Sequence, residues 1–150
     1  MEKKRKNAPS EELMRTVYRN AKMGSEALSA VIGRVGGARL REELTGMLES
    51  HYGFETAAEN KLTEMSAEVK APGMLEKLPA DISIRMSTML DPSDSKIAEI
   101  MIGGYSTGLV DLQRSINRAR AQGVGDDVMN IAEGACAFGQ VSIEKMKKYL

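Results

Sequence analysis

The chain has 150 residues, 21 Lys+Arg against 21 Asp+Glu, one histidine and one cysteine. That length supports one domain with a real core, and 42% hydrophobic with 28% charged residues exclude a disordered chain. No run approaches the ~18 apolar residues of a membrane span, and zero net charge removes the dominant basic surface expected of a nucleic-acid binder. A lone cysteine closes no internal disulfide, and the start, Met1-Glu-Lys-Lys-Arg-Lys, lacks the apolar stretch of a secretory signal. The expected setting is therefore cytoplasmic.

No alternating Val/Ile/Thr/Tyr run signals a strand, while Met, Ala, Leu and Glu are abundant, so the expected class is all-α. Residues 1–9 read as a flexible basic tail carrying Lys3, Lys4, Arg5 and Lys6, and 10–150 as one domain. Ser10 is the expected N-cap of the first helix, with Glu11 and Glu12 in its first turn. Leu13, Val17, Ala21, Gly24, Leu28, Val31 and Val35 recur on one face, and Gly36-Gly37 is the expected stop. So short a link turns the second helix back beside the first.

The second helix is expected over about Ala38 to Val69, before Ala71-Pro72-Gly73. Its inward seam reads Leu44, Leu48, His51, Glu55, Ala58, Leu62, Met65 and Val69, in alternating steps of four and three. A short extra helix from about Pro79 to Leu90 is expected in the link to the third long helix. Asp91 is that helix's expected N-cap and Pro92 its first residue, and it runs to about Gln122. Its stripe is Ile97, Met101, Gly104, Gly108, Leu112 and Ile116, broadened by Ala98, Ile102, Tyr105 and Leu109. Gly123-Val124-Gly125 turns the chain into a last helix opened by Asp126 and Asp127. A four-helix bundle is the natural solution; the long second link is expected to return along the bundle, with a plain up-down bundle and a kinked third helix as the alternative.

The stretch from Met86 to Gly104, followed by Gly108 and Asp111, together with the ending Ser142-Ile-Glu-Lys-Met-Lys-Lys-Tyr-Leu, resembles small uncharacterised ferritin-like four-helix proteins of Firmicutes-type bacteria. The resemblance covers about residues 80–150 best and implies a ferritin-like bundle in the cytoplasm, with no established activity. A di-iron carboxylate centre on such a bundle takes a Glu-x-x-His pair from each of two helices. This chain has one histidine, His51, and Leu48 stands three residues before it, so the usual ligand set is missing.

His51 and Glu55 lie one turn apart on the same face. They read either as a buried or edge-of-seam structural pair or as two metal ligands, with Asp111 of the third helix as a further candidate. Cys136, among Gly134, Ala135, Ala137 and Phe138, reads as packing rather than as a reactive thiol. Gly103, Gly104 and Gly108 read as close approach to the last helix, or as thin walls around a cavity for a small apolar ligand. Met86, Met89 and Met101 read as core, with an adaptable partner surface or a soft-metal site as the alternatives.

The leading expectation is a non-enzymatic structural or protein-interaction module, associating with itself or a partner protein, with no cofactor assigned. The alternative is a divergent metal-binding ferritin-like protein or oxidoreductase using His51 and Glu55. A small-ligand carrier with a cavity near Gly104 and Gly108 is the third reading.

Overall fold

The computed structural model describes residues 2–69 and 93–150, and all of its regular elements are helices. They are α1 (Glu2–Ile32), α2 (Ala38–Glu64), α3 (Asp94–Ala121) and α4 (Asp126–Lys147). The short helix expected at 79–90, the Asp91-Pro92 start, Met86 and Met89 lie outside the described residues.

Helix boundaries depart from the sequence expectation at several points. α1 begins at Glu2 rather than at Ser10 and carries Pro9 in its interior. Proline withdraws one helical donor, but the Glu-Lys-Lys-Arg-Lys run before it consists of good helix formers. α1 stops at Ile32, ahead of the two glycines, where Arg34 N–H bonds back to Val31 O at 2.9 Å. α3 is capped by Ser93 rather than Asp91, its hydroxyl accepting from Lys96 N–H at 3.2 Å.

α2 ends at Glu64, five residues short of Val69. Ser66 takes a left-handed backbone (φ 56°), Ala67 N–H reaches Leu62 O at 2.9 Å, and Ser66 N–H reaches Thr63 O at 2.9 Å. These paired bonds make a Schellman stop. The same motif ends α3, with Gly123 at φ 70° and Val124 N–H on Ala119 O at 3.2 Å. Glycine takes that backbone freely, whereas serine is strained in it.

Contacts between helices fix their directions. α1 and α2 form an antiparallel hairpin, with Ser25 meeting Glu55 and Arg15 meeting the Glu68 carbonyl. α3 and α4 form a second, with Arg120 meeting Glu133 and Cys136 meeting Gln113. Across the hairpins, Glu12, Thr16 and Asn20 of α1 meet Arg118, Ser115 and Gly108 of α3 in antiparallel order. Lys61 and Phe54 of α2 likewise meet Asp127 and Gly134 of α4. The order is therefore up, down, down, up. α2 and α3 point the same way, and Glu64 and Asp94 lie at opposite ends of the bundle.

The buried core falls into two clusters. One gathers Leu28, Val31, Leu40, Leu44, Met47, Ile97, Ile100 and Met101 near the α1–α2 turn, with Met146 from α4. The other gathers Leu13, Met14, Val17, Leu62, Leu112, Ile116, Val128 and Met129 near the α3–α4 turn. On α2 the buried positions are Leu40, Leu44, Met47, His51, Ala58 and Leu62, so Met47 takes the core place expected of Leu48. Glu55 and Met65 are only half-buried. Between the clusters lies a waist rich in small and polar residues.

Candidate functional site

The waist is built where each helix places a glycine or a polar group on its inner face. α1 contributes Asn20 and Gly24, α2 His51, α3 Gly104, Tyr105 and Gly108, and α4 Gly139. Each interior glycine costs a helix about 1 kcal/mol relative to alanine. At Gly24 the reason is direct: a Cβ would stand 2.2 Å from His51 Cε1, so the bare backbone makes room for the ring.

His51 is 3% exposed. Its Nε2 lies 2.8 Å from the Tyr105 hydroxyl, and its Nδ1 has no hydrogen-bond partner within the protein. Its ring stacks on Tyr105 (centroids 5.6 Å apart, 24° between planes) and meets the edge of Phe138 (5.2 Å, 87°). Phe54 closes the group, 5.7 Å from Phe138. Burial pushes the imidazole pKa down to about 4, because a charged ring loses its hydration there. The ring is thus neutral at pH 7. Burial raises the Tyr105 pKa, opposed by the nearby hydroxyl of Ser142, a residue that is itself fully buried.

His51, Phe54, Tyr105 and Phe138 border a cavity of about 130 Å³ between the four helices. Its deep walls are Val17, Ala21, Ile100, Met101, Leu112 and the aromatic group. Arg19, Thr107 and Asp111 line it too but are exposed, which puts its mouth on the α1–α3 seam. That seam is unusually polar: Ser115 Oγ donates to Thr16 Oγ1 at 3.1 Å, and Asn20 Nδ2 donates to the Gly108 carbonyl at 3.1 Å.

The three residues singled out as metal candidates take different places. His51 is engaged by Tyr105. Glu55, one turn along α2, receives the Ser25 hydroxyl at 2.5 Å. Asp111 is exposed at the mouth. Among the described residues, no three His, Cys, Asp or Glu side chains gather into a group able to hold a metal ion.

Cys136 is buried, its Sγ 3.7 Å from Gln113 Oε1, and burial followed by the Glu133 charge raises its pKa. That is a poor setting for a nucleophile. Met101 is core, as expected. The expected close approach fails at Gly103, where an added Cβ would meet nothing within 4 Å. Gly108 packs against Asn20 of α1, not against α4. Sequence reasoning missed Tyr105 as the partner of His51 and Ser25 as the partner of Glu55. A glycine mid-helix at 24, carrying an intrinsic cost, signals room for a bulky neighbour but does not identify either partner.

Among the described residues, no helix is long and apolar enough to cross a membrane. Compared with protein-family models, with curated proteins and with solved structures, the chain matches none of them.

Proposed function

We propose that this chain is a non-enzymatic bundle of ferritin-like topology that binds a small, mainly apolar ligand at its waist. The topology reading draws on the up-down-down-up order, which the ferritin-like bundles with one long connection share. The observation that carries the function is the cavity of about 130 Å³ beside a buried, neutral His51 with one ring nitrogen unused. Apolar cavities of about 150 Å³ take up benzene, so the space suits a ligand of that size. Binding is favoured over bond-making because Tyr105 holds the imidazole while burial holds the phenol proton.

Association with a second copy or a partner protein draws on the apolar width of α3. The bundle itself buries Ile97, Ala98, Ile100, Met101, Leu112 and Ile116, leaving Val110 as that helix's exposed large apolar side chain. The ligand reading therefore has the stronger support.

Thermal unfolding with and without saturating benzene tests it. The midpoint is expected to rise with benzene in the natural chain and to stay fixed in Ala135→Leu, which adds bulk at an α4 residue lining the cavity. No rise in the natural chain refutes the reading.

A further inference from the structure

We propose that the waist takes a single-armed amphiphile, with an apolar arm of about six carbons inside the bundle and a polar head left in water at the α1–α3 seam. This inference rests on the ligand-binding reading above and deepens it, adding the ligand's class and its direction in the site. Two features carry it, the distribution of polarity around the cavity and the cavity's size.

Polar side chains gather on one side. The lining residues Thr16, Arg19, Asn20, Thr107 and Asp111 all belong to α1 and α3, and the two charged ones, Arg19 and Asp111, are exposed. The antiparallel register puts both in one stretch of the seam, between the Thr16–Ser115 and Asn20–Gly108 hydrogen bonds. Across the cavity, α2 and α4 contribute His51, Phe54, Ala135, Phe138 and Gly139. His51 is the polar side chain among these, and its Nε2 is engaged by the Tyr105 hydroxyl. With Ile100, Met101 and Leu112 of α3, the interior offers a guest apolar surface and no charge.

An ionised group drawn inside would lose its hydration with no opposite charge to meet it, whereas at the seam it stays in water. An arm that is apolar to its tip meets no such cost and gains by leaving water. The two ends of an amphiphile thus match the two sides of the site. The mouth carries both signs of charge, so it excludes neither an anionic nor a cationic head. Size sets the arm: apolar cavities of about 150 Å³ take up benzene, so about 130 Å³ corresponds to about six carbons.

Binding is measured by calorimetry on the full chain with straight-chain butanol, hexanol, octanol, hexanoate and hexylammonium. Hexanol is expected to bind about tenfold tighter than butanol, because each methylene leaving water is worth about fourfold. Octanol is expected to gain less than about twofold beyond hexanol, because the cavity is full at about six carbons. Hexanoate and hexylammonium are expected to bind within about tenfold of hexanol, since a head left in water keeps its hydration. Asp111→Asn changes an exposed side chain at the mouth. There the affinity ratio of hexanoate to hexylammonium is expected to rise about two- to fivefold, the range of a solvated charge interaction.

A loss of more than about tenfold for both ions relative to hexanol means a buried head and overturns the inference. So does an ion ratio unmoved by Asp111→Asn, or a gain from hexanol to octanol as steep as that from butanol to hexanol. Benzene binding beside any of these results leaves the cavity reading standing. Benzene bound with every chain inert removes this inference alone, and benzene inert as well removes both.

Discussion

Acidification from pH 7 to pH 5 is expected to weaken this fold through one side chain. His51 has a folded pKa of about 4 against an ordinary value of 6.5, because burial disfavours the charged ring. The unfolded chain therefore takes up a proton, as pH falls below 6.5, that the folded chain refuses. Stability is complete above that value, declines between 6.5 and 4, and changes no further from this source once the folded ring protonates too. Integrated over the window, the loss is about 3 kcal/mol, with about 2 kcal/mol of it reached by pH 5. Asp127, whose carboxyl is held below its usual range by the Lys61 hydrogen bond and the Val128 backbone, contributes only at lower pH. The window from 7 to 5 thus isolates the imidazole, the only one in the chain. Urea unfolding followed by circular dichroism is the assay, and a drop of roughly 1 M in midpoint is expected. His51→Gln should lose that pH step whatever its own stability. Coincident midpoints at the two pH values, or an imidazole that titrates near 6.5 in the folded protein, would refute the reasoning.

Other expectations concern the backbone and the thiol. Gly24→Ala should destabilise by about 1–3 kcal/mol despite alanine's better helix propensity, since the new methyl meets the His51 ring. Gly46→Ala on α2, where an added Cβ meets nothing within 4 Å, should stabilise by about 0.5–1 kcal/mol, and chemical denaturation compares the two. Ser66→Gly should stabilise by about 0.5–1 kcal/mol by relieving the left-handed stop of α2, while Gly123→Ala at the matching stop of α3 should destabilise by a similar amount. A thermal scan giving the same sign for both would contradict the Schellman assignment. Cys136 should react with a thiol reagent at pH 7.5 at least roughly tenfold more slowly in the folded protein than in urea, because the buried thiol is poorly ionised.

The four rods were legible in the sequence because their signals are local. Spacing of apolar residues placed α2, α3 and α4, and Asp126 and Asp127 marked the opening of α4 within its first turn. Ends were less legible where the chain broke a statistical habit. Pro9 sits inside α1, and a serine does a glycine's work after α2.

At the site, the step of three and four along α2 was enough to turn His51 inward. Its partner was not legible, because Tyr105 lies 54 positions away on a helix whose rotation about its own axis no local pattern specifies. Glu55 shared a stripe with His51, yet four residues turn a helix about 40° beyond a full revolution. That offset is enough to deliver the carboxylate to Ser25 of α1 while the imidazole faces α3. A stripe read from one helix names a face, and only the neighbours divide that face among partners.

The gap between the two apolar clusters also makes hydrostatic pressure a natural probe of this molecule. A waist that leaves about 130 Å³ unfilled by protein atoms gives pressure a volume to act on, since unfolding volumes scale with imperfect packing. Squeezing should therefore act on the waist before it acts on either cluster, and a bound guest that fills the void would leave the protein stiffer under load.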